Sequence, residues 1–163
     1  MSVRAAYVTD DTQMCLFKML SAYTASPWSR WSKVLGWPEA KVFETFTKPF
    51  IYILEPQITS QVEQFGGGLR RYVWETIIGF WDHRTSGGME ECNIGCSHLI
   101  NLFGDPQTVH AKTFTVTLGD TTYTNTTLKT QGIRIRGIVG PRDLSNTTDV
   151  KEFRKEMTIT LIA

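Results

Sequence analysis

Between Arg70 and Phe103 the spacing of apolar side chains changes from two residues to three and four. Residues 71–81 alternate and carry apolar side chains on both faces, which predicts a strand at least partly covered on each side. Residues 89–103 instead carry an apolar stripe, which predicts an amphipathic helix. The stripe consists of Met89, Cys92, Cys96, Leu99 and Phe103. We therefore expect a strand, a short loop and a helix at the centre of the fold.

Residues at both ends of this helix predict its boundaries. Gly87-Gly88 precedes it, and Glu90 and Glu91 fall in its first turn, where the positive end of the helix dipole favours carboxylates. Gly104 is expected to adopt a left-handed C-terminal cap, and Pro106 to prevent continuation.

Two helices are predicted in the N-terminal part of the chain. Residues 11–24 have helical spacing, with Asp10 or Asp11 as the N-terminal cap. The apolar face comprises Leu16, Phe17, Leu20 and Tyr23. A second, short helix is predicted to open at Ser26-Pro27, run through Leu35 and stop at Gly36 and Pro38.

Residues 49–56 are a β-rich run between two prolines, which predicts a buried strand. Residues 57–69 are polar and end in Gly66-Gly67-Gly68, so they are predicted as a flexible loop. A phosphate-binding loop is disfavoured there because no Lys-Ser/Thr follows and the next element is a strand.

The second half of the chain is predicted to be mainly β-structure. Strands are expected at 112–118, 131–139 and 152–162, the last of them an ordered C-terminal strand. In this last strand the alternation predicts an inward apolar face of Phe153, Met157, Ile159 and Leu161 and a polar face of Arg154, Glu156, Thr158 and Thr160. The threonine-rich run 121–127 is expected either to pair back as a hairpin or to project as an arm, and 140–146 is expected to be a loop. In 131–139 one face is apolar and the other cationic; the two sets are Ile133, Ile135 and Val139 against Arg134 and Arg136.

These elements predict one α+β domain over residues 1–163. We expect a single mixed or antiparallel sheet of about five strands packed against two main helices, with extended loops or a β-hairpin arm. Residues 27–45 are predicted to be an inserted aromatic segment.

Composition restricts the classes of function. The chain has 163 residues, 41% of them hydrophobic, and a net charge of +1, so no strong field attracts a polyanion. The N-terminal sequence has no apolar signal region and no segment is long enough to span a membrane, which predicts a cytosolic product without membrane contact. An odd number of cysteines, three, does not resemble a secreted disulfide framework.

Candidate catalytic and metal-binding residues exist but are not predicted to converge. A small cytosolic enzyme would use Cys92 or Cys96 with His98 and His83. On a helix, however, His98 points about 160° away from Cys92, and both cysteines share the buried stripe. Zinc would require these cysteines with both His83 and His110, at spacings unlike the usual ones. We expect no catalytic, cofactor or metal site.

Three further groups of residues have functional interpretations. Trp28, Trp31 and Trp37 would form an exposed platform in a carbohydrate- or peptide-binding module, but a cluster closing over the sheet is favoured. Asp82-His83-Arg84 is expected in a displayed loop after a strand. The alternating Arg134 and Arg136, with Arg142, would meet an acidic partner or DNA, or keep the sheet from aggregating.

The order of elements resembles the tail terminator, or tail completion, proteins of long-tailed bacteriophages. The resemblance covers most of the chain and is carried by the order of elements rather than by a single motif. These elements are an N-terminal helix, a Lys-Pro-Phe-Ile strand at 48–51, a strand ending in Ile-Gly-Phe-Trp at 78–81, the Gly-Gly-capped helix 89–103 and a terminal Ile-Thr-Leu-Ile-Ala strand at 159–163. Residues 28–44 are longer than the linker expected there.

The resemblance implies a non-catalytic ring, usually of six subunits, that ends the tail tube and joins it to the head. Its partners would be further copies of itself, the tail tube protein, the head-tail connector or adaptor and, in a contractile tail, the sheath. DNA would only pass through the lumen, and the protein would reside in the virion after assembly in the host cytoplasm. From exposure patterns we predict interface residues at Arg70, Arg71, Asp82, His83, Arg84, Tyr123, Arg134, Arg136 and Arg142. The nearest alternative is another neck component, such as a head-tail adaptor or head-closure protein.

Overall fold

The strand β4, Leu69–Asp82, lies inside a six-stranded sheet and pairs with strands on both of its sides. The computed structural model describes residues 8–36, 49–65, 69–82, 87–146 and 152–163. Its helices are α1 (Val8–Ser21), α2 (Gly88–Gly104) and α3 (Pro106–Ala111), with a 3-10 turn at Trp28–Arg30. The other strands are β1 (Ser32–Leu35), β2 (Phe50–Ile53), β3 (Gln57–Phe65), β5 (Phe114–Leu118), β6 (Thr121–Thr126), β7 (Arg134–Asp143) and β8 (Phe153–Ile162).

The strand order is β1-β2-β4-β8-β7, and β3 pairs with β4 on the same side as β2. β1 is parallel to β2 while the other described pairs are antiparallel, so the sheet is mixed. β5 and β6 form a separate two-stranded sheet. The threonine-rich run therefore pairs back as a hairpin and does not project as an arm. The predicted α+β class and mixed sheet are confirmed.

Both main helices pack on one face of the sheet and share its core. Leu16 of α1 and Leu99 of α2 are fully buried in the same cluster as Ile53, Ile78 and Met157 of the sheet. Because β-strand side chains alternate, the opposite face receives a different set of residues. Within the described ranges this second face is helix-free, and it carries a smaller cluster of Phe50, Tyr52 and Trp81.

The C-terminal strand β8 lies between β4 and β7, where it pairs with β4 from Asp82↔Phe153 to Val73↔Ile162. Met157, Ile159 and Leu161 point into the helix-side core, as predicted. Loss of β8 would therefore remove core side chains and a central strand together.

The predicted second helix is wrong, because β1 occupies its C-terminal part. After one 3-10 turn, Ser32–Leu35 hydrogen-bonds in parallel to Phe50–Ile53. A short apolar run by itself does not distinguish a helix from a strand. Here the segment forms a strand because it pairs with the buried strand β2.

The predicted flexible loop at 57–69 is also wrong, since β3 occupies 57–65 and pairs with β4. Its polar side chains are compatible with a strand because Gln57, Ile58, Thr59 and Ser60 are exposed at a sheet edge. The three glycines 66–68 lie outside the described residues.

Helix boundaries differ from prediction for local reasons. Asp10 and Asp11 lie within α1, which begins at Val8, so neither is its cap. Gly104 is the last residue of α2 without a left-handed conformation. The chain turns at Asp105, whose carboxylate accepts hydrogen bonds from the first amides of α3. Pro106 therefore ends one helix and opens the next.

Two predicted core positions are exposed. Met89 begins the apolar stripe of α2 but is exposed, and Val139 of β7 is 69% exposed. β7 also continues through the predicted loop to Asp143, because register shifts after Ile135 and Val139 accommodate Gly140 and Pro141 at the sheet edge.

Candidate functional site

The predicted interface residues lie in separate parts of the structure. Arg134, Arg136 and Arg142 share the strand β7. Arg71 is exposed on β4, and Tyr123 is exposed on the β5–β6 hairpin. The structure brings the three β7 arginines together and places the other two elsewhere.

The prediction of a displayed loop at Asp82 is wrong. Asp82 is the last residue of β4, pairs with Phe153 and is 1% exposed. It is buried because β4 extends one residue beyond the predicted strand. His83 and Arg84 lie outside the described residues, and for Arg70 the structure describes the backbone, in β4.

The strand β7 presents cations and one large apolar side chain at a sheet edge. Among the described residues, β7 pairs with β8 only, so its other side is free of hydrogen-bonded strands. Arg136, Val139 and Arg142 are exposed. The side-chain Nη1 atom of Arg134 is buried and has no hydrogen-bond partner in the described parts of the chain. A buried donor without an acceptor costs free energy. The exposed guanidinium groups of Arg136 and Arg142 favour a partner that supplies carboxylate or carbonyl oxygens.

A buried ionic cluster joins β2 and β8 on the helix-free face. The Tyr52 hydroxyl donates to Glu156 Oε1 at 2.6 Å, and Arg154 Nη2 donates to the same oxygen at 2.7 Å. Arg154 Nε donates to the Tyr52 oxygen at 3.0 Å, and its guanidinium lies over the Trp81 ring. Gly79 on the intervening strand leaves room for the Tyr52 ring. The cluster thus connects β2 and β8 through one hydroxyl and one ion pair, and the Trp81 ring of β4 packs against it.

This cluster is built for structure rather than for proton transfer. Burial and then the hydrogen bond to Glu156 raise the pKa of the Tyr52 hydroxyl above its ordinary value. The phenol is therefore neutral at physiological pH and acts as a hydrogen-bond donor. Sequence reasoning assigned Glu156 to a polar face and missed the cluster. The available signal was a pair of opposite charges, Arg154 and Glu156, two residues apart on a strand.

The thiols of α2 are packed in the core, which disfavours the cysteine enzyme. Burial raises the pKa of Cys92 to about 12 and that of Cys96 to about 11. The Cys92 thiol donates to the backbone carbonyl of Phe153 at 3.4 Å. His98 instead lies against the Trp28 ring, 6.2 Å between centroids, on another side of the helix. No cluster of three or more His, Cys, Asp or Glu residues suited to a metal ion occurs in the described ranges.

The two tryptophans that the structure describes are buried, which contradicts the interpretation as an exposed binding platform. Trp28 is 7% exposed and Trp31 is 2% exposed. Trp31 Nε1 donates to Glu91 Oε1 at 2.8 Å, and its ring meets Phe80 edge to face at 5.1 Å between centroids. These rings close the core between α2 and the sheet, as favoured. Trp37 lies outside the described residues.

His110 of α3 anchors the start of β7. The Ile135 backbone N–H donates to His110 Nε2 at 3.0 Å, so that nitrogen carries no proton. Burial, followed by the charges of Arg134 and Lys129, lowers the pKa of His110 below its ordinary value, although a hydrogen bond with the backbone of Pro106 opposes this.

We expect the stability of the protein to fall as the pH is lowered through the ordinary His pKa of 6.5. In that range the unfolded chain binds a proton at His110 that the folded chain excludes, so the free energy of unfolding decreases toward acid. Denaturant titrations at a series of pH values measure this dependence. His110→Gln, which keeps an acceptor but does not titrate, should have a shallower pH dependence than the wild type below neutrality. Identical pH profiles for the two proteins would contradict this role.

No helix in the described part of the chain has both the length and the apolar character needed to cross a bilayer. The chain matches no protein-family model and no curated protein sequence.

Proposed function

We propose that this protein is a structural subunit of a ring that terminates the tail tube of a long-tailed bacteriophage and joins it to the head-tail connector. In this role it acts without catalysis and resides in the virion. Its contacts are with further copies of itself, the tube protein and the connector or adaptor, and with the sheath if the tail is contractile. DNA passes through the lumen without specific recognition.

The observation that best supports this proposal is the pair of open strands on opposite sides of one sheet. In the described residues, β3 pairs with β4 only and β7 with β8 only, and they are the two long strands with an open side; the four-residue β1 is also open, beyond β2. A subunit with two different contact surfaces facing away from each other forms head-to-tail contacts, and such contacts generate rings when the rotation closes.

The packing of the cysteines and tryptophans is consistent with a structural role. The two cysteines of the alternative enzyme and two of the three tryptophans of the alternative binding module are core residues, since Cys92, Cys96, Trp28 and Trp31 are all buried. The exposed features are instead strand edges, the threonine-rich hairpin and arginines, which are suited to contacts between proteins.

The test combines the mass of the purified protein in solution with negative-stain microscopy, alone and with tail tubes of the phage that encodes it. The expected result is a ring with a central hole that binds at one end of the tube. Binding to the connector but not to the tube would instead support a head-tail adaptor or head-closure protein. A protein that forms no ring either alone or on the tube would refute the proposal.

A further inference from the structure

In the described residues three strands of the sheet have an open side: the short β1, which pairs with β2, and the longer β3 and β7. β3 and β7 lie on opposite sides of the sheet. β3 pairs with one side of β4, and β7 pairs with the far side of β8, so the order across this part of the sheet is β3-β4-β8-β7. At about 4.8 Å per strand, the edges are roughly 14 Å apart and face away from each other. One copy cannot satisfy both edges by itself, whereas a second copy can supply the complementary edge.

The exposed charges at the two edges have opposite sign. β7 exposes Arg136 and Arg142. Beside β3, Glu55 precedes the strand and Glu75 pairs with Gln57, and both glutamates are exposed. This charge complementarity favours contact between β7 of one copy and β3 of the next, and it opposes contact between two identical edges.

Nearby opposite charges reduce but do not cancel this contrast. On the β7 side, Asp143 lies 3.9 Å from Lys155 of β8, so its charge is already balanced within the subunit. On the β3 side, Arg71 is exposed but pairs with Val62, farther along the hairpin than Gln57 and Glu75. The acidic surface is therefore at the start of β3.

Apolar exposure coincides with the same two strands. Val139 of β7 is 69% exposed and Ile58 of β3 is 53% exposed, more than the other large hydrophobic side chains described as exposed. Single exposed hydrophobic residues are common on protein surfaces. Here one lies at each edge, beside the complementary charges, where it would be covered by an edge-to-edge contact.

The backbone of β7 limits which strands can join it. The ladder with β8 shifts register after Ile135 and Val139, and Pro141 has no N–H to donate. Such irregularities protect edges from indiscriminate pairing. Side-chain charge is then the main selector of a partner.

We propose that copies of this protein associate edge to edge, with the cationic edge of β7 (Arg134, Arg136, Val139, Arg142) docked on the acidic start of β3 (Glu55, Ile58, Glu75) of the next copy. The occupant of each edge is thus a second copy of this chain. The inference deepens the proposed ring function and rests on it only for the expectation that successive contacts close.

The test uses two charge-reversed variants of the full chain, Arg136→Glu/Arg142→Glu and Glu55→Lys/Glu75→Lys. In each variant the reversed side chains carry the same sign of charge as the side chains that they meet on the next copy, so the dissociation constant between copies should rise roughly 100-fold or more. In an equimolar mixture each variant offers the edge that the other lacks. The mixture should therefore assemble again, with the two variants in equal numbers, as measured by light scattering and native mass spectrometry.

A control reverses a charge away from both edges. Lys18→Glu alters an exposed residue of α1 on the helix side, and it should assemble like the wild type. Arg30 is left unchanged because its guanidinium pairs with Glu91 at 3.1 Å. Thermal melting of each variant checks folding, because recovery of assembly on mixing requires that both variants are folded.

The edge contact is refuted if the reversed variants assemble as well as the wild type, or if folded variants stay monomeric when mixed. It is also refuted if the wild type stays monomeric up to its solubility limit. The same experiments distinguish failure of the edge contact from failure of the proposed tail function. Rings that dissociate on charge reversal but do not bind tail tubes would support the edge contact and refute the tail role. Rings that bind tail tubes and still form in both charge-reversed variants would support the tail role and refute the edge contact.

Discussion

Glu156→Leu is expected to lower the free energy of unfolding by about 3 kcal/mol. This value is at the low end of the cost of breaking a buried ion pair, because the Arg154 side chain is partly exposed. The substitution removes the carboxylate that accepts from the Tyr52 hydroxyl and pairs with the Arg154 guanidinium. Leucine fills a similar volume, so the loss reports mainly the missing charge and hydrogen bonds. Urea denaturation followed by tryptophan fluorescence measures it.

Two further variants separate this effect from the general effect of a new leucine. Thr158→Leu lies on the same strand and the same face, away from Arg154, and should change stability by no more than about 0.5 kcal/mol. Arg154→Met/Glu156→Leu removes both charges and should recover part of the loss, because a buried pair can often be replaced by apolar residues. If Glu156→Leu alone is as stable as the wild type, the cluster contributes nothing net to the fold.

Gly95→Ala should destabilise the protein by about 2 kcal/mol, although alanine is the better helix former. Gly95 faces the sheet from the middle of α2, and a methyl group there would overlap the ring of Phe80. That ring is buried and held against Trp31, so it has little room to move. The free energy of unfolding from urea titration is again the measurement.

Gly104→Ala is the matched control in the same helix. Gly104 is exposed, has no positive φ, and a methyl group there meets nothing within 4 Å. Its replacement should be neutral or stabilising by up to about 1 kcal/mol through helix propensity. The two glycines thus predict changes of opposite sign, and equal effects would contradict the close approach of α2 to the sheet.

The elements that could be predicted from sequence are those whose local signals agree. In α2 the apolar stripe, the acidic first turn and the preceding glycines all indicate a helix, and α2 covers the predicted range. β4 and β8 have consistent two-residue alternation, and their pairing in the structure extends along both strands. The burial of the two cysteines of α2 followed from helical phase alone.

The elements that were wrong depend on a partner distant in the chain. β1 has too few residues to show a period, and it forms because β2 is beside it. β3 lacks an apolar face, and β4 provides its hydrogen bonds. Aspartate is common in loops, but Asp82 is the last residue of β4 and is buried.

The candidate contact surface divides in the same way. The sequence alone identified the alternating arginines of β7, because charge and alternation are local properties. It did not indicate that Glu55, Ile58 and Glu75 form an opposite edge, because that depends on which strand β3 pairs with and on which side.

By itself the sequence determined the α+β class, the central strand and helix between Arg70 and Phe103, and the ordered C-terminal strand. These follow from periodicity and capping, which act over one or two turns or a few alternating residues. Only the tertiary structure decided the sheet order, the Tyr52–Arg154–Glu156 cluster and the two open edges. Each of these requires residues far apart in the chain to meet, and that is set by how the strands pair and how the core packs rather than by local spacing.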